Sequence, residues 1–279
     1  MRILLLGGTG EARALAQLLV ANGIDVISSL AGRTADARLP VGTVRTGGFG
    51  GADGLTEWLR TNPVDAIIDA THPFATQITA NATEAAAATG TRHLILRRPG
   101  WTPTTGDTWH WAKTHTQAAT LLPTLGTRPF LTIGRQNLPT FAPTPHTTTT
   151  AGPSHTPPPE HLAPTDHLPV VGSKLSDRSS VAQPWVLARC VDPPEPRPTW
   201  CTLLLARGPF TLADELAILR EHRIDLLVTK DSGGPATAPK LKAARQLRIP
   251  VLIIRRPPLP RDVPSVPTPE AALTWTLRT

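Results

Sequence analysis

Apolar residues in this chain come as short continuous runs alternating with helix-spaced stripes. Arg2-Ile-Leu-Leu-Leu6 runs unbroken into Gly7-Gly8, the pattern of a parallel strand buried on both faces. Over 11–21 the apolar positions change to helical spacing (Ala12, Leu15, Ala16, Leu19), and Asn22-Gly23 supplies a C-terminal stop. The same reading predicts strands at 25–30, 41–46, 64–69 and 93–97. It predicts helices at 52–60 and 73–89, the latter Ala-rich with Pro73 in its first turn. Further on, strands are expected at 130–133, 186–191, 201–206, 224–229 and 251–254, and helices at 211–222 and 236–247. Thr211 is the N-cap of the first of these helices, with Asp214 at its capping-box position.

Strands alternating with helices at this spacing predict an α/β protein of parallel, doubly wound sheets. A length of 279 residues exceeds the usual single domain. The expected architecture is two Rossmann-like open-sheet lobes with a cleft between them, 1–98 and 99–279, joined near 98–111. One stretch, about 143–183, is rich in Pro, Thr, Ser and His and lacks apolar periodicity, which reads as a disordered insertion in the second lobe. Its histidines (His146, His155, His161, His167) are too widely spaced for a metal tract. The tail after Pro257 is Pro-rich, with room for a short final helix.

Composition narrows the function classes. No apolar run approaches the length of a signal core or a membrane span, so a soluble, cytoplasmic protein is expected, without a membrane partner. Two cysteines, Cys190 and Cys201, make neither a disulfide framework nor a zinc spacing, and no metal is expected. The formal charge is +7, with no Tyr and five Phe. Scattered arginines with few stacking aromatics do not make a nucleic-acid face. An acidic cofactor or substrate suits the excess better, and a bias toward arginine accounts for part of it.

Candidate chemistry sits where strands end. Gly7, Gly8, Thr9, Gly10 and Glu11 lie between the first strand and the first helix. There a glycine turn brings backbone and helix dipole to a pyrophosphate, although Arg13 stands where the third glycine of the dinucleotide motif belongs. The second strand ends in Ser28-Ser29-Leu30-Ala31-Gly32-Arg33 instead of the acidic residue of an NAD site. Ser29 and Arg33 suit a 2′-phosphate, and NADPH is the expected cofactor. Gly47, Gly48 and Phe49 form a turn on the same edge. In Asp69-Ala-Thr-His72, Thr71 and His72 are placed to flank a nicotinamide or a substrate edge. In the second half, three turns each follow a strand: Gly134-Arg135-Gln136, Arg207-Gly-Pro-Phe210, and Lys230-Asp-Ser232-Gly233-Gly234. With Thr237 and Lys240 they gather cations and exposed amides suited to several carboxylates.

These segments, in this order, resemble the precorrin-6A reductase and cobalt-precorrin-6A reductase family of cobalamin biosynthesis. The pieces that carry the resemblance are LLLGGTGEARALA, SLAGRT, GGFGG, DATHPFA with ITANA, RRPGW, LTIGRQ, VDPPEP, RGPFTL and LVTKDSGG with PKLKAAR. They span nearly the whole chain outside the insertion and the tail. The resemblance implies an NADPH-dependent oxidoreductase that reduces one ring double bond of the tetrapyrrole precorrin-6A, giving precorrin-6B, and leaves room for contacts with neighbouring pathway enzymes. By position, Gly8, Thr9, Glu11, Ser29, Arg33, Gly48 and His72 would lie on the cofactor side. Arg135, Arg189, Arg207, Lys230, Ser232, Gly233, Thr237 and Lys240 would face the substrate. Asp231 stands where the family often has Asn. A proton must meet the charge that develops in the ring, and His72 and Lys230 are the candidate donors. The alternatives are the cobalt-bearing substrate, another acidic substrate, and a non-catalytic NADP(H) sensor.

Overall fold

A computed structural model of the protein describes residues 1–32, 39–143 and 185–278. Arg33 and nearly all of the expected insertion, with its histidines, lie outside the described residues. The first sheet is assembled from β1 (Arg2–Leu6), β2 (Asp25–Leu30), β3 (Thr43–Thr46), β4 (Ala66–Asp69) and β5 (Arg92–Leu96). Helices α1 (Gly10–Ala21), α2 (Gly51–Thr61) and α3 (Thr76–Thr89) connect them. The second sheet follows as β6 (Trp109–Ala112), α4 (His115–Leu125), β7 (Pro129–Thr132), β8 (Leu187–Cys190), β9 (Thr202–Leu205), α5 (Leu212–Glu221), β10 (Leu226–Lys230), α6 (Pro239–Gln246) and β11 (Val251–Ile254).

Among the described residues each sheet has six strands, counting β12 (Ser265–Val266), in the orders β12-β5-β4-β1-β2-β3 and β6-β11-β10-β7-β8-β9. All the pairings are parallel. The strand order reverses between β1 and β4 in the first sheet and between β7 and β10 in the second, the places where open α/β folds bind ligands. Burial follows the sequence pattern. Ile3, Leu4, Leu5 and Leu6 of β1 are all buried; Ile3 and Leu5 pack on the α1 face and Leu4 and Leu6 on the α2 and α3 face.

The tail corrects the expected division of the chain. Residues after Pro257, assigned to the second lobe on sequence, return to the first. There β12 (Ser265–Val266) pairs with β5, and α7 (Pro269–Leu277) lies beside α1 with Ala272 in the first core. The physical reason is coverage: without this segment β5 is an open edge and the α1 side of the sheet lacks Ala272, Leu273 and Trp275. A second correction concerns Pro73. Helix α3 begins three residues later, at Thr76, because 69–75 forms its own turn. Asp69 accepts from Thr71 N and Thr71 Oγ1, and Ala75 N donates to His72 O.

Candidate active site

The first turn leaves open space at the start of α1. Gly8 adopts φ +110°, a conformation that L side chains rarely enter, and a Cβ there would point into open space. Thr9 caps α1 by accepting from Ala12 N (3.0 Å) and donates its own proton to Ala70 O (2.7 Å), which ties the turn to the end of β4. The helix ladder leaves the N–H groups of Gly10 and Glu11 to a ligand. This cradle fits the pyrophosphate of a dinucleotide. Between the turn and β4 lies a small crevice lined by Thr9, Glu11, Thr71, Pro73, Leu96, Arg97 and Arg98. Next to it is a cavity of about 190 Å³ between β4, β5, α3 and the returning segment Pro257 to Pro260, with Thr71 and His72 in its wall.

At the end of β2 the structure brings together Ser29, Gly47, Gly48 and Phe49 through a residue that sequence reading missed, Arg45. It stands opposite Ser29 in the β2–β3 register. Its guanidinium donates to Ser29 Oγ (2.8 Å), Gly47 O (3.1 Å) and Gly48 O (3.1 Å), and lies 3.8 Å from the centre of the Phe49 ring. An arginine held by three acceptors and a ring is preorganised. Only the register of a parallel pair reveals it, since 16 residues separate it from Ser29.

The turn after β4 is the junction of the molecule. Buried Asp69 spends both oxygens on Thr71 and Thr79 (2.6 Å each). His72 Nδ1 faces Phe74 N (3.3 Å) and Nε2 lies 3.2 Å from Ser232 Oγ in the second lobe. Accepting at Nδ1 puts the ring proton on Nε2, pointing at Ser232. Burial, then the nearby cations Lys230, Arg98, Lys240 and Arg256, pushes His72 down to about 3, so the ring is neutral at physiological pH. Phe74 reaches into the second core, 5.3 Å from Lys230 Nζ and edge-on to His115.

In the second lobe the turns after β7 and β10 meet. A side chain on Gly134, which has φ +81°, would lie 3.9 Å from Lys230 Nζ, and burial lowers Lys230 to about 8. Arg135 Nη1 donates to Pro193 O (3.3 Å), Gln136 is the second residue of the 3₁₀ segment that Arg135 begins, and Arg207 follows β9. Ser232, Gly233 and Gly234 form the turn against the first lobe, with Thr237 Oγ1 3.5 Å from Gly233 O. Asp231 is structural: it pairs with Arg256 (3.1 Å) and accepts from Trp101 N (3.0 Å). Arg189 and Lys240 are buried rather than presented at the surface. Arg189 Nη2 donates to Glu215 Oε1 (2.8 Å) under Phe210, whose ring centre is 3.7 Å away. Burial, with Arg189 and Lys230 adding and Glu215 opposing, lowers Lys240 to about 7.

The two turns at the strand-order reversals therefore lie on facing carboxyl edges, one lined by amides and the other by cations. A sequence model described as Precorrin-6x reductase CbiJ/CobK matches residues 2–160 and 160–277. The chain belongs to this family. A precorrin-6A reductase of Rhodococcus erythropolis is 52% identical over 276 residues, covering 98% of this chain and 96% of its own. Another, of Mycobacterium tuberculosis (strain ATCC 25618 / H37Rv), is 40% identical over 277 residues, with coverage of 98% and 96%. A solved structure named CobK precorrin-6A reductase superposes with a TM-score of 0.80 at 35% identity, over 99% of this chain and 96% of that one.

Besides Arg45, the sequence reading missed Arg98 and Arg256. Arg98 donates to Glu11 (2.6 Å) and to Ser232 O (2.7 Å), while Arg256 donates to Asp231 O, Arg98 O and Pro99 O. The RRPGW segment held the signal for Arg98, but not its partners. Among the described residues no cluster of His, Cys, Asp and Glu could hold a metal, and no helix is long and apolar enough to cross a membrane.

Proposed function

We propose that this member of the family is an NADPH-dependent precorrin-6A reductase. The observation that carries the reading is the contact between the two switch-point turns: His72 meets Ser232, and Glu11 meets Arg98 on Ser232 O. A cofactor cradled on the first turn and a polyanion held by the second would share one space. The pyrophosphate would rest on Gly8 to Glu11, and the 2′-phosphate would meet Ser29 and Arg45. The tetrapyrrole's carboxylate arms suit the second lobe's cations, Lys230 and Arg135 among them.

When bound, NADPH supplies the hydride to the ring. The protein's part is to orient and to deliver a proton. Of the two candidate donors, Lys230 is the fitter. At about 8 it is mostly cationic at neutral pH, and its burial tolerates the neutral amine left after the transfer. Neutral His72 instead donates Nε2–H to Ser232 and fixes the turn. Cytoplasmic location accords with such a pathway enzyme, as do contacts with its neighbours in the pathway.

The test is NADPH consumption by the purified protein with metal-free precorrin-6A present and then absent. Consumption that depends on substrate, with a product heavier by one hydride and one proton, supports the reading. Turnover confined to the cobalt-bearing substrate would move the protein to the family's other branch. NADPH binding with no turnover on either substrate would overturn the enzyme reading.

A further inference from the structure

We propose that Arg98 is a positioning residue that neutralises Glu11 at the cofactor turn while holding the substrate turn, and so couples the two ligands. This rests on the dinucleotide reading above. Glu11 is the second residue of α1, and its carboxylate therefore sits at the helix end assigned to the pyrophosphate. An unshielded carboxylate there would repel a doubly charged pyrophosphate, because like charges in a partly desolvated site are costly. Arg98 Nη1 covers Glu11 at 2.6 Å, with the pair only 16% and 23% exposed.

The same guanidinium donates from Nε to Ser232 O in the other lobe (2.7 Å). Its backbone is fixed independently, because Arg256 donates to Arg98 O (2.5 Å) and Pro99 O (2.9 Å). The fit is close: a Cβ on Gly234 would lie 3.0 Å from Arg98 Cδ and 3.5 Å from Glu11 Oε1. Glu11, Arg98 and the Ser232–Gly234 turn thus form one packed unit. A dinucleotide that settles on α1 with Arg98 in place finds Ser232 already held, and a substrate that orders the Ser232 turn holds Arg98 on Glu11. Linkage requires each ligand to tighten the other by the same factor.

The experiment measures NADP⁺ affinity by calorimetry on the full chain, with and without saturating precorrin-6A, a pair that cannot turn over. Wild type binds NADP⁺ more tightly when precorrin-6A is present. Arg98→Ala weakens NADP⁺ binding by roughly thirtyfold, the scale of one uncompensated, partly buried charge, and loses the enhancement. Glu11→Gln added to Arg98→Ala restores most of the NADP⁺ affinity but not the enhancement. Arg98→Lys, which keeps the charge but lacks the fork that reaches both partners, keeps the affinity and loses the enhancement. A double variant no better than Arg98→Ala would overturn the proposal, since Arg98 would then bind phosphate itself or act only through stability. An enhancement that survives in Arg98→Lys and Arg98→Ala would overturn the coupling. A wild type that binds no NADP⁺ would instead bring down the functional reading on which the proposal rests.

Discussion

The two lobes are the same scaffold put to different uses. Both order their strands third, second, first, fourth, fifth and then an outlying edge strand, and both reverse direction beside the first strand. After β1 comes a glycine turn and a capped helix, so the first switch point offers backbone amides and a helix dipole. After β7 comes Gly134 and a 3₁₀ segment containing Pro139, a poor helix start, and the second switch point offers side-chain cations instead. Amides at a helix end suit one compact pyrophosphate. Spread cations suit a large ligand with charges around its rim. Topology fixes where a ligand sits, and the first turn after the first strand decides its chemistry.

The largest expected effect that would break this contrast is at Gly8. Gly8→Val forces a branched side chain to φ +110° and fills the cradle. It should weaken NADPH binding by about a hundredfold and leave tetrapyrrole binding unchanged, as titration with each ligand will show. Lys230→Ala should do the converse, weakening precorrin-6A binding by about thirtyfold with NADPH unaffected. If Lys230 acts as the charged form, kcat/KM should fall as pH rises through about 8 in wild type, and this limb should vanish in the variant.

His72 sharpens the comparison because a first-lobe side chain lies in the second lobe's positive field. Its folded value, about 3, is below the ordinary 6.5, so the folded state resists protonation. The resulting stability is complete above about 6.5 and is lost as pH falls toward 3. By about pH 5 the loss should reach about 2 kcal/mol. His72→Gln should flatten that slope in chemical denaturation across the acid range; an unchanged slope would assign the acid sensitivity elsewhere. The smallest effect is at Arg45, where replacement by Ala should cost about tenfold in NADPH affinity while NADH binding barely moves. Equal effects on both would remove Arg45 from the 2′-phosphate.

Most of the fold was legible because buried parallel strands and capped helices have local signatures. The predicted Thr211–Asp214 capping box is formed. What escaped was structure whose cause is distant. Strand β6 reads Trp-His-Trp-Ala and owes its place to pairing with β11. Helix α4 hides behind Pro123 and three threonines, although Thr114 caps it. The site divides in the same way. Glycines and cations at strand ends announce themselves, whereas Arg45, Phe74 and Arg98 matter only for what they touch across the fold. Even the buried pair Arg189–Glu215 looked, in sequence, like a free cation on a strand.

The return of the chain to its first sheet makes the second lobe a guest inserted in the first. A ribosome therefore finishes the whole second sheet before β12 and α7 exist, and until then the nascent first lobe has an unpaired β5 edge and a bare flank on α1. Completion of the first lobe is thereby timed to follow the second. Two crossings join them, one leaving β5 and one leaving β11, and a body tethered at two points can tilt against its host far more easily than it can spin.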